Sequence, residues 1–284
     1  RKIPLKDFND KVIVITGAGS GMGRSYALEF ARLGAKLALN DFDPEGLAET
    51  VRQLQGTPAK AVFSKAFDVG DKQAMNSFAT QVKRKLGNAH VIINNAGVSG
   101  EGRPVWALSD DSYERVMGIN FWGVVYGTKA FLPYLKQSGS GHIVNISSLF
   151  GLTAQPTQSA YNATKFAVRG FTEALRQELD LQDCGVSATC VHPGGIRTNI
   201  ANSARMSDSI RALGMNPERA SRSFNKMLKT PPDVAAQAIL KAVKKDERRV
   251  LIGTDAKIID LVQRITPTGY TQAMNFLTGK KRRK

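Results

Sequence analysis

Short apolar runs rich in β-branched residues alternate along this chain with longer stretches of helical period. Val12 to Thr16 carries no charge and predicts a buried strand. Met22 to Leu33 follows as a helix, stopped at Gly34. Lys36 to Asn40 predicts the next strand. Pro44 to Leu54 predicts a helix, with Asp43 placed to cap it and Pro44 at its first position. The same rhythm predicts strands at 61–67, 91–94, 142–146, 186–191 and 250–252. It predicts helices at 72–86, 159–181 and 232–245, and a long helical stretch from Asp110 to Leu135 interrupted by Gly118, Gly123 and Pro133.

Strands separated by helices of this length imply right-handed crossovers, hence an α/β fold: a doubly wound parallel sheet with helices on both faces. Ligands of such sheets collect at the carboxyl ends of the strands, near the switch in strand order. With no repeat and no linker, the pattern predicts a single domain over 1–284. Two parts stand outside the alternation. Residues 200–230 are polar and rich in Arg, Ser and Met, and are expected to form a helical substrate lid. Residues 255–276 carry Ile258, Ile259, Leu261, Val262 and Ile265 at helical spacing, a face expected to pack on the protein's own core or on a partner subunit. Lys280 to Lys284 reads as a disordered basic tail.

The first strand runs into Thr16-Gly17-Ala18-Gly19-Ser20-Gly21-Met22-Gly23, and then a helix begins. Glycines let a backbone turn tightly and approach a pyrophosphate, and the helix N-terminus offers free N–H groups to the anion. The strand before and the helix after are what make this a nucleotide-binding signature. Asp41 closes the second strand 18 residues beyond Gly23, near the offset at which an acid accepts bonds from ribose hydroxyls. A carboxylate there repels the 2′-phosphate of NADP, and Ser20 adds no positive charge, so the pattern favours NAD. The competing reading is that Asp41, with Asp43, only caps the next helix.

Tyr161 and Lys165 stand four apart in a helical stretch and share one face. An ammonium beside a phenol is expected to pull its pKa down from about 10, so that it can exchange a proton with an alcohol or ketone. Ser148, 13 residues before Tyr161, follows a strand end and could hold the substrate oxygen, with Ser147 as its rival. Asn94-Asn95-Ala96-Gly97 closes another strand at the same sheet edge, where the side chains can brace the loops or simply form a turn.

Taken together, these pieces resemble the short-chain dehydrogenase/reductase family, with its Rossmann-type fold. The resemblance covers about residues 8–253 and adds Pro193-Gly194 followed by Thr198. It implies an NAD-dependent oxidoreductase acting on a secondary alcohol or ketone. Tyr161 would be the general acid/base, and Lys165 would also bind the nicotinamide ribose. Ser148 would hold the substrate oxygen, and Asn120 would support a water relay from the lysine. Gly17, Ser20, Gly21, Met22, Gly23, Asp41, Asn95, Ala96 and Gly97 would bind the cofactor. Asp68 and Val69 would lie near the adenine, and Pro193, Gly194, Ile196 and Thr198 near the carboxamide and phosphates. The family's habit implies a homo-oligomer, a dimer or tetramer. An NADP-dependent carbonyl reductase and a non-catalytic nucleotide-binding regulatory protein are the alternatives; the intact catalytic set argues against the second. Methionines and isoleucines in the lid lean toward an apolar substrate.

Composition adds three points. Net charge is +16, and residues 197–284 hold 19 basic against 7 acidic residues, a balance of +12. The excess reads first as a solvated surface and second as attraction to an anionic membrane surface; nothing resembles a nucleic-acid-binding module. Two cysteines, Cys184 and Cys190, with the second in an apolar run, fit free thiols and a cytoplasmic, reducing compartment. No run is long and apolar enough to predict a transmembrane helix. His142 and His192 sit in or beside strands without further ligands, so no metal site is expected. Trp106 and Trp122 read as packing residues, Trp106 also as a candidate pocket wall.

Overall fold

The structure, a computed structural model, describes residues 5–198 and 206–272. Seven strands make one parallel sheet: β1 (Val12–Thr16), β2 (Lys36–Asp41), β3 (Ala61–Ala66), β4 (Ala89–Asn94), β5 (Gly141–Ile146), β6 (Val186–Pro193) and β7 (Arg249–Ile252). They lie in the order β3-β2-β1-β4-β5-β6-β7. The chain starts at β1, winds outward to β3, crosses back to β4 and winds outward the other way. Direction therefore switches between β1 and β4, whose carboxyl ends diverge and leave a crevice.

The helices are α1 (Gly21–Arg32), α2 (Pro44–Gln53), α3 (Lys72–Leu86), α4 (Asp110–Met117), α5 (Gly123–Gln137), α6 (Ser159–Gln182), α7 (Pro217–Met227), α8 (Pro232–Lys245) and α9 (Thr254–Ile265). Side chains alternate across a strand, so each central strand feeds two cores. Ile13 and Ile15 join Tyr26 and Phe30 of α1 and Ile239 and Val243 of α8. Val12 and Val14 join Phe78 of α3, Phe131 of α5 and Leu179 of α6. β1, β5 and β6 are buried at every position, whereas the edge strand β3 alternates half-buried and exposed.

Glycine behaves differently from expectation in the 110–135 stretch. The helix is continuous: α4 passes through a π-helical turn, Gly118–Trp122, into α5, and Pro133 lies inside α5. Gly123 and Gly127 do not break the helix but let it approach the sheet. A Cβ at Gly123 would lie 2.7 Å from Val69 Cγ2, and one at Gly127 would lie 2.1 Å from Asn94 Oδ1.

The 200–230 excursion is described from residue 206. It forms a 3-10 turn, Asp208–Leu213, and helix α7. Its start bridges Gly102 through Met206, and its end bridges Ile196 through Thr230. Helix α9 buries Ala256 and Asp260, while Ile258, Leu261, Val262 and Ile265 face outward. Of the two expected partners for this stripe, the protein's own core is thereby ruled out and a partner subunit is left. Helix geometry gives one face to β7, and the small Ala256 and the ion-paired Asp260 take it. The expected basic tail, Lys280 to Lys284, lies outside the described residues.

Candidate active site

The loop after β1 is held open by glycine. Gly17 has φ +66 and Gly21 φ +51, both in the left-handed region, and a Cβ on Gly23 would sit 1.9 Å from the Gly17 carbonyl oxygen. Ser20 stands at the N-cap of α1 without a side-chain capping bond. Helices α2, α3 and α4, by contrast, are capped by Asp43, Asp71 and Ser109. The first turn of α1 therefore presents its N–H groups to the crevice, which suits an anion.

Thr16, buried at the end of β1, ties this loop to the one after β4. Its Oγ1 accepts from Asn95 N at 3.0 Å and Ala96 N at 3.1 Å. Asn95 Nδ2 donates back to Thr16 O at 3.0 Å and Gly17 O at 3.2 Å. Asn94 instead braces the interior, donating to Asn145 Oδ1 at 2.8 Å and Thr128 Oγ1 at 3.2 Å.

A cavity of about 270 Å³ occupies the switch point. It brings together Gly17, Ser20, Gly21 and Met22 from the first loop, Asp41 from β2, Asp68 and Val69 after β3, Asn95, Ala96 and Gly97 after β4, and Thr198 after β6. Gly23 is spent on packing against Gly17. Thr198 crosses the switch: a Cβ on Gly21 would meet its methyl at 3.1 Å.

Asp41 does not cap α2. Asp43 does, accepting from Glu45 N at 3.1 Å. Asp41 Oδ2 accepts from Gly19 N at 2.7 Å and Oδ1 from Asp43 N at 2.9 Å, so the carboxylate locks the first loop against the end of β2. Arg24 supplies no free cation beside it. Its guanidinium donates to the carbonyls of Gly19 and Gly46 and to Thr50 Oγ1 at 2.9 Å.

The second cluster lies at the carboxyl ends of β4, β5 and β6. Ser148 follows β5; its hydroxyl accepts from Phe150 N at 3.1 Å and lies on the Tyr161 side, where it pulls against the effect of burial on the phenol. Ser147, the rival, is buried and donates to Lys165 O at 2.8 Å. Lys165 is 4 % exposed; its Nζ donates to Ile146 O at 3.0 Å and lies 5.5 Å from the Tyr161 ring centroid. Asn120, fully buried in the π turn, clasps the peptide of Val98, with Oδ1 accepting from Val98 N and Nδ2 donating to Val98 O, both at 2.8 Å. It stands between Gly97 and Thr164. His192 is buried, and its Nδ1 meets Ser148 O at 3.0 Å. Since a carbonyl only accepts, that nitrogen carries the proton.

One expectation about acidity is overturned. Burial pushes the Tyr161 phenol up, and the group pulling against it is Ser148 rather than Lys165. Burial also pulls the Lys165 amine down to about 8. Both groups lose water, and desolvation penalises whichever form is charged. His192 is pulled down to about 4, again by burial, and stays neutral. The Cys190 thiol is pushed up to about 12. Among the described residues no cluster of three or more His, Cys, Asp or Glu forms a metal cage, and no helix is long and apolar enough to cross a membrane.

Pro193 ends β6, Gly194 N bonds Ile252 O at 2.9 Å, and Ile196 is buried against Thr230. None of these three lines the cavity; they flank it through Thr198.

A family model described as short chain dehydrogenase matches residues 11–209. The chain belongs to this short-chain dehydrogenase family. It is 47 % identical over 267 residues to a putative oxidoreductase, SadH, of Mycobacterium tuberculosis, covering 94 % of each chain. It is 33 % identical to estradiol 17-beta-dehydrogenase 11 of Macaca fascicularis, covering 89 % of this chain and 87 % of the relative. A crystal structure of a short-chain dehydrogenase/reductase from Burkholderia phymatum in complex with NAD superposes with a TM-score of 0.83 at 30 % identity, covering 93 % and 96 % of the two chains.

Sequence reasoning passed over several groove residues of this short-chain dehydrogenase. Phe42, 77 % exposed, and Arg115 and Ile119 also line the cavity. Phe42 had a signal, an aromatic directly after Asp41 where a turn wants a polar residue. Arg115 and Ile119 had only their four-residue spacing, with Ile119 directly before Asn120. Phe150 stands edge-on to Tyr161, ring centroids 6.0 Å apart. Trp106, a candidate pocket wall, is 71 % exposed, and Trp122 stacks on Tyr126 at the helix surface.

Proposed function

We propose that this short-chain dehydrogenase transfers a hydride between NAD(H) and the carbinol or carbonyl carbon of an apolar secondary alcohol or ketone, using Ser148, Tyr161, Lys165 and Asn120. The observation that carries the reading is the buried Lys165 amine held over the Tyr161 ring, 5.5 Å from its centroid, with Ser148 on the same strand end. This set stands at the strand ends beside an uncapped helix N-terminus.

The residues present fit a dinucleotide. The glycines at 17, 21 and 23 make a cradle that a Cβ would fill or strain. The α1 N-terminus would take the pyrophosphate, with Thr198 beside it. Asp41 would accept from the adenosine ribose hydroxyls, and Asp68 and Val69 would flank the adenine. Gly97, Lys165, Pro193, Gly194 and Ile196 would flank the nicotinamide. Asp41 and the engaged Arg24 favour NAD over NADP, because the carboxylate repels a 2′-phosphate and the Arg24 guanidinium is already held by the Gly19 and Gly46 carbonyls. When bound, the nicotinamide supplies or accepts the hydride.

The protein's own groups do the proton work. The Ser148 hydroxyl donates to the substrate oxygen and fixes its position. Tyr161 Oη takes the hydroxyl proton on oxidation or returns it on reduction. An ammonium has three N–H donors, and Lys165 commits one to Ile146 O, which leaves two for the ribose and the phenolate side. Charged at neutral pH, it is placed to hold the ribose, while Ser148 is the group that pulls against burial at the phenol. Asn120 holds the 97–98 loop against the lysine.

An apolar substrate is supported by Phe150 beside Tyr161 and by a relative whose name specifies estradiol. We also place this chain in a homodimer or tetramer, with the half-exposed Trp122 and Phe166 of the central helices as contact residues. Its free thiols fit a cytoplasmic protein, and the basic last third supports weak attraction to anionic membranes. The whole chain is read as one domain.

The test is Tyr161→Phe with a panel of secondary alcohols and ketones, following NADH absorbance. Turnover should drop by three orders of magnitude or more while the NADH dissociation constant changes less than threefold. Retained turnover would remove the tyrosine from the reaction.

A further inference from the structure

We propose that Asp255 is a positioning residue that fixes the nicotinamide-side loop and the base of the lid through one shared residue, Gly195. Asp255 lies in the first turn of α9, immediately after β7. Its Oδ2 accepts from Gly195 N at 2.7 Å. On the other side of the same residue, Gly195 O accepts from Lys229 N and Thr230 N, each at 3.0 Å. Arg197 N then donates to Thr230 O at 2.9 Å. One residue thus has its N–H held by a carboxylate and its carbonyl holding the end of the lid.

The packing leaves little freedom for another arrangement. A Cβ on Gly194 would lie 2.2 Å from Asp255 Oδ1, and one on Gly253 would lie 2.4 Å from it. A Cβ on Gly195 would lie 2.0 Å from Met227 O, at the end of α7. Three glycines therefore close around one carboxylate and the lid terminus. A charged acceptor makes the stronger kind of bond to a backbone N–H.

The lid needs such a fastening because its own packing is thin. Of α7 only Pro217 is buried, and of the preceding 3-10 turn only Ile210. Among the described residues, its backbone hydrogen bonds to the body lie at its two ends, Ser207 N to Gly102 O at 3.0 Å and the Lys229–Thr230 pair on Gly195. Removing the Asp255 carboxylate frees Gly195 N and loosens the second end. The loosened peptide is also the one that leads into Ile196 and Thr198. The anchorage of the lid and the seat of the nicotinamide are therefore coupled through Asp255. This rests on the placement of residues 193–198 beside the nicotinamide proposed above.

The experiment compares Asp255→Ala with Asp255→Asn, which keeps a carbonyl oxygen at the same reach. Trypsin reports on the lid directly, because Arg211, Arg219, Arg222, Lys226 and Lys229 are all exposed. In the cofactor-free chain, Asp255→Ala should raise cleavage within 206–229 at least threefold, and Asp255→Asn should restore most of the protection. For the enzyme, Asp255→Ala should weaken NADH binding threefold to tenfold and lower kcat/KM for the alcohol at least tenfold, with the asparagine variant again recovering most of it. Melting temperatures show whether each variant is folded. Should the alanine variant not fold, Asp255→Ser, whose hydroxyl is too short to reach Gly195, takes its place. Wild-type lid protection in a folded alanine or serine variant overturns the proposal. So does an asparagine variant as open as the alanine one. Proteolysis needs no turnover, so an inactive wild-type protein would defeat the proposed function and leave this test standing.

Discussion

Replacing Lys165 by methionine should abolish turnover and yet stabilise the cofactor-free protein near neutral pH. The side chain is 4 % exposed, and burial pulls its amine from 10.5 to about 8. At about 1.4 kcal/mol per pKa unit, holding the charged amine costs the folded state about 3 kcal/mol. Methionine matches the length and removes the charge. It also strips Ile146 O of its donor, which returns about 1 kcal/mol of cost. The variant should therefore be more stable by about 2 kcal/mol at pH 7, or roughly 4–8 °C in Tm.

The sign of the pH dependence follows from proton counting. Between pH 8 and 10.5 the unfolded lysine still binds a proton that the folded one has released, so wild-type stability rises with pH across that window. Below pH 8 the whole cost is present. By pH 10 it has fallen under about 1 kcal/mol, and the lost hydrogen bond nearly cancels it. Tyr161, whose phenol burial pushes up, lowers stability only from about pH 10 upward, and does so in both proteins, so it drops out of the gap between them. Thermal or urea unfolding of both proteins at pH 7 and pH 10 gives the gap at each pH. A gap that does not shrink, or a methionine variant less stable at pH 7, would refute the reasoning.

Asp41→Asn removes the charge while keeping an oxygen for Gly19 N. One unit of repulsion against a 2′-phosphate a few ångströms away is about 1–2 kcal/mol. The ratio of NADP to NAD affinity should accordingly rise tenfold or more in fluorescence titrations, and an unchanged ratio would remove Asp41 from cofactor choice. Thr16→Val keeps the shape but leaves Asn95 N and Ala96 N without their acceptor. It should cost about 2–4 kcal/mol in denaturant unfolding and weaken NADH binding with it; a change under about 0.5 kcal/mol would mean the two loops are braced elsewhere.

Periodicity and glycine placement fixed the strand and helix order in advance, because burial repeats every two residues in a strand and every three to four in a helix. The strand-loop-helix at 12–33 and the Tyr161–Lys165 pair were legible for the same reason: local geometry decides both. Spacing could not show which serine faces Tyr161, because Ser147 and Ser148 differ only in the side of the strand end on which they emerge. Nor could it give the acidity of the pair, which depends on how much water the folded sheet edge excludes. Gly118 and Gly123 read as breaks in one dimension, yet Val69 across the interface makes Gly123 a contact point. Phe42, Arg115, His192 and Asp255 reach the site from four separate stretches of chain. Contacts over such separations exist only once the sheet has ordered its strands, so tertiary structure alone could assign them.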